Sequence, residues 1–152
     1  MIKLTNLADY AVILMVDIAR LDRKISAQEL SRQSGLPLPT VSKILNALGR
    51  AGLLESHRGL KGGFCLAKSR DDISVASIIE AVDGPIALTH CVDGTEEACT
   101  VSSICHMKPH WAMINDTVRS ALDTVKLSEI CNTDAMSPFA IEPHRGQRQA
   151  TI

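Results

Sequence analysis

Apolar side chains in the first fifty residues recur every three or four positions, as they do on one face of a helix. A first helix is predicted after Thr5, a suitable N-cap, with its apolar face formed by Leu7, Ala11, Leu14, Met15 and Ile18. A second helix is predicted from Ser26, with Glu29 completing a capping box, to Gly35. A third runs from near Pro39 to Gly52, and its buried face consists of Val41, Ile44, Leu45 and Leu48.

The link between the second and third helices is short and stiff, because Pro37 and Pro39 each fix φ and disfavour helix in the preceding residue. Two short helices joined in this way indicate a helix-turn-helix unit, whose second helix enters the major groove of DNA. A plain three-helix bundle would satisfy the same pattern. The residues that follow favour the first interpretation.

Residues 53–68 are predicted to form a β-hairpin. Strands at Leu53–Ser56 and Phe64–Leu66 flank a tip that contains three glycines together with Arg58 and Lys61. A glycine-rich basic hairpin after a recognition helix is typical of a wing, whose backbone approaches phosphates and whose arginine reaches into a minor groove. The sequence therefore predicts a mainly α fold, with a winged helix-turn-helix and two-strand wing over residues 1–70. Arg58 taken alone could equally be a solvated turn residue.

Residues 71–130 are predicted to contain a helix, a loop and a longer C-terminal helix. Asp72 or Ser74 caps the first of these, which ends at Gly84. The long helix follows Pro109 and has a heptad-like stripe of Trp111, Ile114, Val118, Ala121 and Val125. The stripe could pack within the chain. We favour a homodimer, because helix-turn-helix proteins commonly read two half-sites with two-fold symmetry. Residues 131–152 lack periodicity and are expected to form a disordered tail.

The net charge of −1 conceals an asymmetry between the two halves of the chain. Residues 1–70 have eleven Lys/Arg and five Asp/Glu, a net of +6, whereas residues 71–152 have five and twelve, a net of −7. The first half has the sign of a nucleic-acid binder, although chance variation could produce the same imbalance. A long apolar run and a basic-then-apolar leader are both absent from the sequence, so we expect a cytoplasmic protein without a membrane span.

Three of the five cysteines, Cys91, Cys99 and Cys105, lie in the loop with the spacing C-x7-C-x5-C. Thiols stay reduced in the cytoplasm, so this cluster indicates metal or redox chemistry rather than disulfides. Structural zinc favours closer pairs such as C-x2-C, whereas a wider set of three suits a polynuclear iron–sulfur cluster with a fourth ligand from elsewhere. Spacing alone leaves zinc and unliganded redox thiols open. Cys65 is expected to be a small core residue, and Cys131 has no partner pattern.

The runs "LTNLADYAVILMVDIA", "GLPLPTVSKILNALGRAGLL" and "RGLKGGF", followed by the thiol loop and a Trp-bearing helix, resemble the IscR/NsrR-type winged-helix repressors, the Rrf-two family, over about residues 1–130. "LTNLADYAVILM" and "KPHW" look most like the branch that controls the SUF iron–sulfur assembly operon. The resemblance implies a homodimer with crossing long helices and a cluster between the loop and the partner's first helix. It implies that Cys91, Cys99 and Cys105 are cluster thiolates, with 2Fe–2S favoured over 4Fe–4S.

The resemblance leaves the fourth cluster ligand open. Assembly regulators have a histidine three residues after the last cysteine, where this chain has Lys108. Nitric oxide sensors of the family use an aspartate in the first helix, and Asp9 matches it, although the helix dipole also stabilises a carboxylate there. His106 and His110 remain alternatives. The first gap between cysteines is also longer than the five residues common in relatives.

The function expected from these features is a repressor that binds double-stranded DNA and reports iron–sulfur cluster status to cluster-assembly genes. The expected DNA contacts are Thr40, Ser42 and Lys43 on the recognition helix, with Arg58 and Lys61 on the wing. A nitric oxide or redox signal and a cluster-free, thiol-responsive regulator are the alternatives. No nucleophile–base pair or phosphate-cradling loop is evident in the sequence, so an enzyme is not expected.

Overall fold

The computed structural model describes residues 3–92 and 104–132. In these ranges the chain forms α1 Asn6–Leu21, α2 Ala27–Ser34, α3 Leu38–Arg50, β1 Leu54–His57, β2 Gly63–Leu66, a 3₁₀ turn Arg70–Asp72, α4 Val75–Asp83, α5 Lys108–Thr124 and α6 Leu127–Asn132. The mainly helical order with one antiparallel hairpin confirms the predicted winged-helix architecture. Within the described ranges, the helices are too short or too polar to span a bilayer.

Helix α1 lies at the centre of the core and packs against α3, α4, α6 and β2. Its N-cap is Thr5, as predicted, because the Thr5 hydroxyl oxygen accepts a hydrogen bond from Ala8 N at 3.1 Å. On the predicted face Leu14, Met15 and Ile18 are buried and Leu7 is half-buried. The same core includes Ile73, Ile78 and Leu127 from the second half of the chain. Residues 1–70 and the C-terminal helices therefore share one core.

The turn between α2 and α3 is fixed by short polar contacts. Gly35 has a φ of 71° and donates its N–H to Ser31 O at 3.0 Å, so it ends α2 in the left-handed conformation that glycine favours. The buried Ser34 hydroxyl donates to Leu30 O at 2.8 Å and accepts from Leu36 N at 3.3 Å. These bonds hold the recognition helix α3 in a defined direction relative to α2.

The N-terminus of α2 differs from the prediction in one contact. Ser26 caps the helix by accepting from Glu29 N at 3.2 Å, as expected. The Glu29 carboxylate, however, binds Arg23, with Oε1 at 2.6 Å from Nη2, instead of closing the predicted capping box. An arginine offers a charge-assisted hydrogen bond, which is stronger than one to a backbone N–H.

The wing pairs Leu54 with Leu66 and Glu55 with Cys65, so its strands begin one residue from the predicted positions. Phe64 exchanges two backbone hydrogen bonds with Ile25, at 2.8 and 3.0 Å, which fastens the hairpin to the link between α1 and α2. Successive side chains of a strand point to opposite faces of the hairpin. Leu54, Phe64 and Leu66 therefore lie against the core, and the Cys65 side chain lies on the outer face. The prediction that Cys65 is a core residue is therefore wrong.

The C-terminal helix is interrupted at Val125 and Lys126, where the sequence suggested a continuous one. Val75 N donates to Val125 O at 3.0 Å and Leu127 N donates to Ile73 O at 2.8 Å. These bonds to the start of α4 take the backbone groups that a continuing helix would need. Cys131, on the short α6, packs against the core, and burial raises the pKa of its thiol. The predicted tail lies outside the described residues from 133 onward.

Gly63→Ala is expected to destabilise the protein by about 1–3 kcal/mol, because Gly63 has a φ of 148° and an added Cβ would lie 2.7 Å from Ile25 O. Gly49→Ala is the matched control, since its Cβ would meet Leu54 O at 3.9 Å and helical alanine is favoured by about 0.5–1 kcal/mol. Urea unfolding of both variants measures the difference. Equal stability of the two variants would contradict the wing attachment described above.

Candidate functional site

Helix α3, the predicted recognition helix, has one buried face and one exposed face. Val41, Ile44, Leu45 and Leu48 are buried, as predicted. Lys43 is exposed, whereas Thr40 and Ser42 are half-buried. Asn46 and Arg50 are also exposed and, at three and seven residues from Lys43, share its side of the helix. The predicted contact set omitted these two residues, although their spacing from Lys43 was available in the sequence.

The wing tip, residues 58–62, presents Arg58 and Lys61 as exposed side chains. Gly62 N donates to Gly59 O at 2.9 Å and closes the turn. A Cβ on Gly62 would lie 2.3 Å from His57 O, so only glycine fits there. Leu53 N donates to Leu48 O at 3.0 Å, which fixes the start of the wing to the end of α3.

The segment that leads to Cys91 is attached to α5 by a buried amide. Asn115 is 7% exposed; its Nδ2 donates to Ile86 O at 2.9 Å, and its Oδ1 accepts from Leu88 N at 3.0 Å. Cys91 follows Leu88 by three residues, which limits their Cα separation to about 10 Å. Cys105 precedes the first residue of α5 by three positions. Both described loop thiols are therefore tethered to α5, whereas Cys99 lies outside the described residues.

The Cys91 thiol has a hydroxyl neighbour. Thr89 Oγ1 lies 3.1 Å from Cys91 Sγ, and Thr89 O accepts from Val92 N at 3.1 Å in a tight turn. The thiolate is the form of cysteine that binds metals. Cys91 and Cys105 are both free and half-buried, so their sulfur atoms are accessible for ligation.

A row of polar side chains on α5 holds this helix along α4. The row consists of Asn115, Arg119 and Asp123, spaced by one helical turn, and we call it the polar ladder. Arg119 donates to both Glu80 carboxylate oxygens, at 2.8 and 3.0 Å. The Ser74 hydroxyl donates to Asp123 Oδ1 at 2.6 Å and holds the pKa of that carboxyl below its ordinary value.

The predicted heptad stripe of α5 stays partly accessible in the single chain. Ile114 is 36% exposed and Val125 is 37% exposed, while Trp111 and Val118 are half-buried. At 100° per residue, the stripe lies on a different side of α5 from most of the polar ladder. Polar contacts thus attach the helix to its own chain, and Ile114 and Val125 stay accessible while Trp111 and Val118 are partly covered.

The proposed fourth ligands lie on separate elements. Asp9 is exposed in the first turn of α1, and His106 and His110 are exposed beside Cys105. Among residues 3–92 and 104–132, no three of these residues, counted together with Cys91 and Cys105, have their donor atoms all within 4.8 Å of one another. The start of α1 is nevertheless tied to the end of α4, because the Thr5 hydroxyl donates to the Asp83 carboxylate at 2.7 Å.

The comparisons with known proteins agree on one family. Residues 4–133 match the profile of the Rrf2 family, described as iron-dependent transcriptional regulators. The HTH-type transcriptional regulator IscR of Pectobacterium carotovorum is 30% identical over 132 residues, which cover 86% of this chain and 79% of that protein. IscR of Photorhabdus laumondii is 28% identical over 150 residues, covering 97% and 90%. These relatives are transcriptional regulators and not enzymes.

Solved structures show the same architecture. The structure of T. potens IscR is similar with a TM-score of 0.63 and 25% identity, covering 85% of each chain. CymR, the global cysteine regulator of B. subtilis, has a TM-score of 0.66 at 24% identity, covering 86% of this chain and 97% of its own. At 24% identity, the similarity to CymR supports the fold alone.

Asn115→Ala is expected to leave Leu88 N and Ile86 O without their hydrogen-bond partner. Each unsatisfied group should lower the free energy of unfolding by about 1–3 kcal/mol. Amide hydrogen exchange near Leu88 should accelerate more than exchange in α3. Ser120→Ala, on an exposed part of the same helix, is the control and should change neither quantity. Unchanged exchange near Leu88 in Asn115→Ala would show that other contacts hold the segment.

Proposed function

The chain belongs to the Rrf2 family of transcriptional regulators, and we propose that it is a homodimeric repressor that binds double-stranded DNA and senses iron–sulfur cluster status. Its proposed targets are genes for iron–sulfur cluster assembly. The observation that carries this proposal concerns the described residues around Cys91 and Cys105, here called the thiol segment. Asn115 and the start of α5 attach them to a helix with an accessible apolar stripe. That attachment supports the proposal because the described thiols, Cys91 and Cys105, and the apolar stripe belong to the same helix and its flanking segments.

The proposed DNA surface combines α3 with the wing. Lys43 and Lys61 meet phosphates, Thr40 and Ser42 lie toward the groove, and Arg58 enters a minor groove. Asn46 and Arg50 extend the same surface of α3. The supporting observation is that Lys43, Arg58 and Lys61 are exposed on elements whose backbones are fixed to each other at Leu53.

The proposed dimer is formed by the stripe of α5. Burial of Ile114, Val118 and Val125 against their copies removes apolar surface from water, at about 25 cal/mol per Å². Polar contacts hold α5 to its own protomer, so the stripe is free to pack on the partner without competition. A two-fold pair then presents two recognition helices at one separation.

The loop cysteines fit an iron–sulfur cluster by their chemistry. Cys91, Cys99 and Cys105 would hold it, because thiolates are the usual ligands of such clusters. Asp9 is the proposed fourth ligand, with His106 and His110 as alternatives, and 2Fe–2S is favoured over 4Fe–4S. When bound, the cluster supplies an occupancy signal that follows iron supply and oxidants. A ligand from the partner's first helix would explain why the described donors of one chain do not converge.

Residues of this chain connect the thiol segment with the DNA surface. Asn115 transmits the position of the segment to α5, and the polar ladder transmits it to α4. Thr5 and Asp83 join α4 to α1, which packs against α3. A change in the segment therefore alters the separation of the two recognition helices, and with it the affinity for the operator.

A nitric oxide or oxidant signal is the second candidate. It is favoured by Asp9 in the first turn of α1 and by Lys108 in place of the histidine of assembly regulators. The DNA surface and the dimer would be unchanged under this alternative, while the signal and the target genes would differ.

Anaerobically purified protein is expected to contain iron and acid-labile sulfide, with a cluster spectrum in the visible range. Cys91→Ala should lose both elements, because one thiolate ligand is removed. Asp9→Ala should shift the spectrum or lose iron if its carboxylate is the fourth ligand. Cys131→Ala is the control and should retain the cluster, since that thiol packs against the core. Zinc or no metal in the wild type, even after reconstitution, would contradict the cluster.

Lys43→Ala and Ile114→Asp are expected to separate DNA contact from pairing. Lys43→Ala should sediment as a dimer but bind the DNA upstream of its own gene more weakly. The slope of the logarithm of its binding constant against the logarithm of salt concentration should be smaller in magnitude by about 1. Ile114→Asp should shift the protein toward monomer, because a carboxylate enters the apolar stripe. Met113→Asp, 61% exposed and off the stripe, is the control. Ile114→Asp that sediments as wild type does would refute the α5 interface.

A further inference from the structure

The outer face of the wing carries a second set of metal-type ligands, unrelated to the thiol loop. The donor atoms of Glu55, His57 and Cys65 all lie within 4.8 Å of one another. We propose that these three residues, the wing triad, bind a divalent zinc-class ion. The ion would take one carboxylate oxygen, one imidazole nitrogen and one thiolate.

Strand register brings the triad together. Glu55 and His57 are two residues apart on β1 and therefore point to the same side of the hairpin. Cys65 is the direct partner of Glu55 on β2, so its side chain lies on that side as well. The other side of the hairpin faces the core, and within the triad Glu55 and His57 are exposed while Cys65 is half-buried.

The spacing is close to that of a tetrahedral site. Glu55 Oε2 lies 3.5 Å from His57 Nε2. Zinc bonds of about 2.0–2.3 Å place neighbouring ligands roughly 3.3–3.8 Å apart, so this pair already has a suitable separation. Side-chain rotation by exposed residues can supply the remaining contraction, since Glu55 and His57 side chains are 59% and 39% exposed.

The ligand types select the class of ion. A thiolate and an imidazole beside one carboxylate suit zinc and other late first-row ions, whereas magnesium and calcium prefer oxygen ligands. Three protein ligands leave one position for water. The thiol of Cys65 must lose its proton on binding, so about one proton is released for each ion bound.

Ion binding would change the wing in two ways. It cross-links β1 to β2 next to Arg58, the residue that follows His57. The ion adds two positive charges and Cys65 loses one proton, so the wing becomes more positive by about one unit. The consequence for DNA affinity rests on the proposed function, but the binding of the ion does not.

The test uses the full chain with the loop thiols removed, Cys91→Ala, Cys99→Ala and Cys105→Ala, and titrates it anaerobically with Co²⁺. One equivalent is expected to give tetrahedral d–d bands and thiolate charge transfer, both abolished by adding Zn²⁺. Adding Cys65→Ser should remove the charge transfer, and adding His57→Ala should weaken Zn²⁺ binding at least tenfold. Adding Cys131→Ala should change nothing. No thiolate charge transfer, or charge transfer that persists in Cys65→Ser, would overturn the site.

Two further comparisons separate the possible failures. If the loop-thiol variant does not fold, the same titration of wild type and Cys65→Ser should differ by one equivalent, and equal stoichiometry would overturn the site. Zinc should also raise the DNA affinity of the loop-thiol variant severalfold, and not that of its Cys65→Ser derivative. Zinc binding without this gain would leave the site intact and refute only its effect on DNA. Absence of any DNA binding would refute the proposed function separately.

Discussion

The position of the apolar stripe on the protein surface depends on how α5 is held to its own chain. A helix that uses its apolar face for internal packing has none left for a partner. Here the internal attachment is polar: Asn115, Arg119 and Asp123 bind the loop, Glu80 and Ser74 in turn. Such contacts are directional, so they fix the rotation of α5 about its axis as well as its position. That rotation keeps Ile114 and Val125 accessible.

The same attachment links the thiol segment to the proposed DNA surface. Asn115 is buried and makes two hydrogen bonds to the backbone of the segment, so a shift of either one disturbs the other. From α5 the connection passes to α4 through charge-assisted bonds and then to α1 through Thr5. Helix α1 shares a tightly packed core with α3, and packed cores transmit displacement instead of absorbing it.

Local signals accounted for much of the fold. Thr5, Ser26 and Gly35 end or begin helices as predicted, because caps depend on groups within a few residues of each other. The wing followed from a tip rich in glycine and basic residues between two short strand-like segments, Leu53–Ser56 and Phe64–Leu66. Contacts between distant residues were not predictable in this way. Arg23 displaced the expected capping box at Glu29, and Ile73 and Val75 interrupted the C-terminal helix, since each partner comes from another part of the chain.

Residue types and spacing were sufficient to identify the winged helix, the exposed side of α3 and the loop thiols as ligand candidates, since these properties are periodic or local. Tertiary structure alone placed Asn115 under the thiol segment and showed that the polar and apolar sides of α5 have different roles. It also assembled Glu55, His57 and Cys65 on one face, because strand register joins residues that are up to ten positions apart in the sequence. Hydrogen bonds and register between distant segments depend on the folded backbone, and no local pattern of residues encodes them.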